Sequence, residues 1–266
     1  RVARVAGGGA VMAVPQAHAI DAFGKGPWET TLKGRDLDGN AGNGFEAYYD
    51  TALDITWLAD ANFAKTSGYT SAANGGVDDQ SVYGTNVKWT DGRMGWDAAK
   101  TWAANLNVSG VTGWRLPTMT DTGTLGCNLG FGGTDCGYNV DTNTSELAHM
   151  FQVTLGNVST LDSVGNFNRL SPIGTGTFST AFFKNVIPDP YWSGLAFAPT
   201  PGGAWYFHPL EGYQHPAANK FGHYAWAVHS GDVAAGMVPE PQAYALALAG
   251  LAAALAARGR PRRLEL

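Results

Sequence analysis

Apolar residues recur at helical spacing in two stretches of the chain. Over residues 97–107, Ala99, Trp102, Ala103 and Leu106 fall three or four positions apart, which predicts a helix opened by Asp97. Over residues 145–155, Leu147, Met150, Phe151 and Leu155 form one stripe. Thr144 or Ser145 can cap that helix, Glu146 complements its N-terminal dipole, and Gly156 stops it. Elsewhere the period is two. Residues 45–58 interleave aromatic and aliphatic side chains with Glu46, Asp50 and Asp54. Residues 191–197 and 204–210 read as paired strands around the Pro- and Gly-rich turn 199–203, and residues 223–229 alternate as a further strand. Two helices early and short strands late, joined by long loops, predict an α+β domain over residues 20–237 with no internal repeat.

The two ends follow a different pattern. Residues 1–19 carry Arg1 and Arg4, a short run of small and apolar residues, and the small-x-small triplet Ala17-His18-Ala19, as a signal-peptide remnant would. Near the other end, Val238-Pro239-Glu240-Pro241 precedes an Ala/Leu run over 243–257, followed by Arg258, Arg260, Arg262 and Arg263. As a helix that run would be roughly 22 Å long, short for a membrane span. Motif, apolar helix and Arg cluster in this order over 238–263 resemble the PEP-CTERM sorting signal of Gram-negative bacteria. The resemblance implies export, transient membrane association through the C-terminal helix, and processing by signal peptidase and an exosortase. An ordinary tail anchor is the alternative.

Composition agrees with an extracellular module. Charged residues are 15%, while 36 Gly accompany 9 Trp, 10 Tyr and 12 Phe. Outside the end segments the body carries a net charge of −9, which argues against nucleic acid as a partner. Cys127 and Cys136 flank a Gly-rich run and, in an oxidising compartment, read as a disulfide closing a small loop. Free thiols or half a metal site are the other readings.

A series of phrases carries a second resemblance. These are Gly34-Arg35-Asp36-Leu37, Ala47-Tyr48-Tyr49-Asp50, Thr56-Trp57-Leu58-Ala59-Asp60, Gly113-Trp114-Arg115-Leu116-Pro117-Thr118, Ser145-Glu146-Leu147, Tyr191-Trp192-Ser193, and Ala225-Trp226-Ala227-Val228 leading to Gly231-Asp232. In this order, over residues 30–235, they resemble the Lcl C-terminal-domain-like family. The resemblance implies a C-type-lectin-like fold related to formylglycine-generating enzymes, with Trp57, Trp114, Trp192 and Trp226 in the family pattern. That pattern has Arg-x-Gly-Asp near its end, where this chain has His229-Ser230-Gly231-Asp232.

No nucleophile elbow, HExxH, Walker A or dinucleotide fingerprint occurs in the sequence, and no enzyme is expected. Oxidase-like chemistry of the formylglycine-generating kind would need a copper-bound thiol pair. Asp36, Asp38, Asn40 and Glu46 could turn oxygens toward Ca²⁺, but their spacing is not that of an EF-hand and a Gly/Asn-rich turn explains them better, so no cofactor is expected. His208, His215, His223 and His229 cluster late, and along a straight strand His223 and His229 stand too far apart to share an ion. Trp205, Tyr206, Tyr213 and Tyr224 are the candidate ligand-binding residues, since sugar rings stack on exposed aromatic faces. The expected function is non-catalytic binding of polysaccharide or another surface component by an exported cell-surface or matrix protein. The alternative is a structural matrix protein without a discrete ligand.

Overall fold

The computed structural model describes residues 26–40, 42–69, 89–122, 130–131 and 135–234. The expected signal segment, the sorting tail with its apolar run, and Cys127 lie outside the described residues.

Two four-stranded antiparallel sheets frame the domain, with few and short helices, so the α+β expectation holds in a form richer in strand. The first sheet joins β1 (Leu32–Arg35), β2 (Ala47–Asp50), β3 (Ile55–Leu58) and β8 (Val228–Ser230) in the order β1-β2-β3-β8. The second joins β4 (Gly137–Tyr138), β5 (Tyr191–Ala196), β6 (Gly203–His208) and β7 (Tyr213–Ala218) in the order β4-β7-β6-β5. Residues 45–58 are therefore a hairpin rather than one strand. Its turn is held by the Asp50 carboxylate, which accepts from the Ala52 N–H, and by Asp54 at φ +53°.

The first long helix is α3 (Trp96–Ala104), which begins one residue before the expected start and ends three before the expected stop. The chain turns away there because Ser109 and Gly110 both take positive φ, and the Asn107 side chain accepts from the Gly110 N–H. The second is α4 (Glu146–His149), continued by a π-turn (Met150–Thr154). Its start is as the sequence predicts: Ser145 Oγ accepts from the Ala148 N–H, Glu146 lies in the first turn, and Leu147, Met150, Phe151 and Leu155 are all buried. Three single-turn helices complete the set, α1 (Trp28–Thr31), α2 (Phe63–Thr66) and α5 (Pro172–Thr175). Among the described residues no helix is long and apolar enough to cross a membrane.

Between the sheets runs residues 223–229. The expected in–out alternation is absent, because Tyr224, Ala225, Trp226, Ala227 and Val228 are all buried. Backbone bonds tie the segment to an edge of each sheet: Tyr224 exchanges with Pro190 and Trp192 at β5, Ala227 accepts from the Leu58 N–H of β3, and Val228–Ser230 pairs as a strand. Trp226 is the hinge of this packing. Its ring meets Trp57 of β3 at 4.9 Å, Phe183 at 4.8 Å and Tyr191 of β5 at 6.0 Å, and its indole N–H donates to the Leu58 carbonyl.

The Trp-Arg-Leu-Pro-Thr segment fastens this core from the side. Arg115 pairs through its backbone with Val228 in both directions, and its guanidinium forms two bonds, 2.7 and 2.8 Å, to Glu146 at the start of α4. Glu146 also accepts from the Thr118 N–H, and Arg115 reaches Ser230 Oγ. One guanidinium thus joins the last strand to a helix start. Arg115→Ala leaves the Glu146 carboxylate without its cation and is expected to lower unfolding stability by about 2 kcal/mol, measured by urea denaturation. Arg115→Lys should recover only part of it, because an ammonium cannot make the paired contact.

Asp232 finds its arginine elsewhere. Where the resembling pattern places Arg, this chain has His229 packed against Trp114 at 5.8 Å. Asp232 instead accepts two bonds, 2.7 and 2.6 Å, from Arg35 of β1. That pairing holds the Asp232 carboxyl below the usual carboxylate range and the Arg35 guanidinium above its own.

Candidate functional site

The second sheet presents a strip of rings on one face. In antiparallel strands directly opposed residues share a face, and the register sets Tyr206 against His215, His208 against Tyr213, and Tyr138 of β4 against Tyr213. The opposite face of the same strands carries Trp205, Phe207 and Gln214, all buried. Alternation along β6 and β7 thus separates a core face from a half-exposed face made of Tyr and His.

Rings follow one another along that half-exposed face. Phe131 lies 6.4 Å from Tyr138, Tyr138 lies 5.5 Å from Tyr213, and Tyr213 lies 6.0 Å from Tyr206. Tyr206 lies 4.7 Å from His223, which stacks at 6.2 Å on Phe221. Phe131 and Phe221, at the two ends, are 40% and 38% exposed. His208 stacks on Tyr213 at 5.4 Å, and His215 flanks both Tyr213 and Tyr206. The Tyr206 and Tyr213 hydroxyls are 3.2 Å apart, and the Tyr138 hydroxyl donates to Glu211 at 3.4 Å.

Burial sets the protonation of the strip. It raises the phenol pKa values of Tyr138, Tyr206 and Tyr213, so all three keep their protons at neutral pH. It lowers His208, and brings His223 down to about 4. His223 rests on Trp192 at 4.3 Å, with Nδ1 at 3.1 Å from the Gly222 carbonyl and a buried Nε2 that has no partner. The result is a band of apolar faces edged by hydroxyls and imidazoles, beside one carboxylate. Such a band can stack on sugar rings and exchange hydrogen bonds with their hydroxyls.

The turn that shapes this edge depends on glycine. Gly212 joins β6 to β7 at φ +71°, and a Cβ there would come within 2.8 Å of the Ser159 backbone and 2.7 Å of the Phe151 ring. Only a residue without a side chain lets Glu211 and Tyr213 take their places on either side.

Of the four aromatic residues expected to bind, Tyr206 and Tyr213 lie on the strip. Trp205 and Tyr224 do not present open faces: they are 1% and 6% exposed. Trp205 points to the core side of β6, where it packs with Met119, Cys136 and Phe197 and donates to the Asp121 carboxylate. Tyr224 belongs to the segment between the sheets. Tyr213 opens β7. Tyr138, Glu211, Phe131 and Phe221 were not expected at all. The readable trace was the i, i+2 pairing of Tyr206 with His208 and of Tyr213 with His215; β4 is too short to announce itself.

The acidic turn gathers as expected in part. One carboxylate oxygen each from Asp36, Asp38 and Glu46 lies within 4.8 Å of the others. The Asn40 side-chain oxygen accepts from the Gly42 N–H. The carboxylates also brace the loop: Asp36 accepts from the Gly39 and Asn40 N–H groups, Asp38 from Asn40 and Asn43, and Glu46 from the Leu37 N–H. Hydrogen bonding to Asn43 lowers the Asp38 pKa. Such bonds account for the turn as a self-supporting structure.

A cleft of about 310 Å³ lies beside the Trp-Arg-Leu-Pro-Thr segment, lined by Lys100, Trp114, Arg115, Leu116, Thr118 and Gly194. Trp114 is 2% exposed, so this cleft offers no aromatic platform.

The Lcl C-terminal domain family matches residues 46–229, which include every ring of the strip, while β1 and the acidic turn before Glu46 lie outside the matched span. No curated protein and no solved structure matches the chain. The chain belongs to the Lcl C-terminal domain family.

Proposed function

We propose that this is an exported protein of a Gram-negative bacterium whose domain binds polysaccharide without transforming it, through the ring strip of the second sheet. The observation that carries the reading is the strip itself, six rings in sequence with an exposed Phe at each end. Membership of the family points to a surface or secreted protein. The small-x-small triplet at 17–19 and the PEP-CTERM-like segment at 238–263 support processing by signal peptidase and an exosortase, and display at the cell surface or in the matrix. A C-type-lectin-like relationship belongs to the same proposal, supported by the α+β make-up with two antiparallel sheets.

Export also supports a disulfide between Cys136 and Cys127. Cys136 is 2% exposed, and among the described residues no cysteine is free. A loop this short contributes about 2–3 kcal/mol.

Electrophoresis through gels containing dissolved polysaccharides tests the binding function. At least one gel is expected to retard the wild-type protein, and Tyr213→Ala should lose most of that retardation while keeping its far-UV spectrum. Free migration of the wild type through a broad panel of neutral and charged polysaccharides would favour the structural matrix protein instead.

A further inference from the structure

We propose that the strip selects amine-bearing glycans, that is, chains of hexosamine in which units carry a free ammonium group. This rests on the polysaccharide reading above and names the ligand class of the same site.

The charge of the site carries the inference. Tyr138, Tyr213 and Tyr206 form the centre of the strip, with neighbouring centroids 5.5 and 6.0 Å apart. The face of an aromatic ring attracts a cation and repels an anion. Glu211 stands at this centre, bonded to the Tyr138 hydroxyl, and its field also reaches Tyr206, Tyr213 and His208. Three phenol rings about one carboxylate are a cation-binding arrangement.

Three imidazoles stand beside the centre: His208, His223, and His215, which flanks both Tyr206 and Tyr213. Burial lowers the pKa of His208 and of His223, which disfavours charge on both rings, and the field of Asp189 also reaches His208. The guanidinium whose field reaches the strip is Arg93, felt at His223 toward the far end, and it is paired with Asp91 at 2.9 Å. An anionic chain would meet both Glu211 and a body of net charge −9. A neutral sugar can stack on the rings; an ammonium group gains the carboxylate and the ring quadrupoles as well.

Titration calorimetry with two hexamers separates the terms: one of glucosamine and one of N-acetylglucosamine, at pH 6 and low salt. The glucosamine hexamer is expected to bind about five- to tenfold more tightly, and the ratio should shrink in 0.5 M NaCl as screening removes the charge term. Glu211→Gln should bring the two affinities close together, with an unchanged melting temperature showing that the turn is intact. Equal or tighter binding of the acetylated hexamer by the wild type overturns this inference while leaving polysaccharide binding in place. So does a ratio that Glu211→Gln does not alter. Failure of both hexamers and of every gel above overturns the polysaccharide reading with it.

Discussion

Trp226→Ala is expected to lower the unfolding free energy by about 3–5 kcal/mol, the largest effect of any single truncation argued here. The indole is 4% exposed and touches rings from both sheets, Trp57 on one side and Tyr191 on the other, with Phe183 closing the edge. Removing it opens a void at the plane where the sheets meet, and the Leu58 carbonyl loses its donor. Trp226→Phe keeps most of the volume but not the hydrogen bond, so its loss should be roughly a third to a half as large. Urea denaturation followed by circular dichroism measures both. A loss under about 1 kcal/mol for the alanine variant would mean that the sheets do not depend on this contact.

Acidification is expected to cost the domain about 3 kcal/mol between pH 7 and pH 4 through His223 alone. Burial brings this imidazole from its ordinary value of 6.5 down to about 4. Its ring rests between Trp192 and Tyr206, and its Nε2 has no acceptor to stabilise an added proton. Between pH 6.5 and pH 4 the unfolded chain binds the proton and the folded one does not. Stability from the neutral ring is therefore complete above about pH 6.5 and is lost as pH falls toward 4. His223→Phe should flatten that slope in a series of melts, since it keeps the stack and removes the titration. Asp232 adds a separate acid loss lower down. Its folded pKa lies below the unfolded value, so the Arg35 pair contributes above about pH 4 and weakens as pH falls below it.

Much of this fold was legible where local chemistry and tertiary packing ask for the same residue. Ser145 and Glu146 announce the start of α4, and the buried stripe of Leu147, Met150, Phe151 and Leu155 follows at the expected spacing. The β5–β6 hairpin could be read from its turn. What the pattern hid has physical causes. Pro216 is a residue that central strands rarely hold, but among the described residues β4 pairs with β7 only at Tyr213 and Gln214, so a missing N–H at 216 costs little. Residues 223–229 alternate in sequence, but Tyr224 to Val228 are all buried, because the segment bridges the edges of both sheets and has no solvent face there to distinguish.

The site was half legible for the same reason. Aromatic composition pointed to the late strands, but a Trp is as useful in a core as on a platform. Trp205 proved to be core, while Tyr206, its neighbour in sequence, faces the other way. Which of two adjacent aromatics is available depends on the strand's parity, and parity is set by pairing with β7, the strand least visible in the sequence. Tyr138 and Glu211 join the strip only through that pairing and through the turn at Gly212.

The measurement that bears most directly on the central claim is an NMR titration of the labelled domain with whichever oligosaccharide it binds, observing the aromatic ring resonances. The account predicts that the rings of Tyr138, Tyr206 and Tyr213 shift together and saturably, with those of Trp57, Trp114 and Trp226 unmoved. Shifts confined to the acidic turn at Asp36, Asp38 and Glu46, or to the cleft beside Lys100, with the tyrosine rings unchanged, would contradict it.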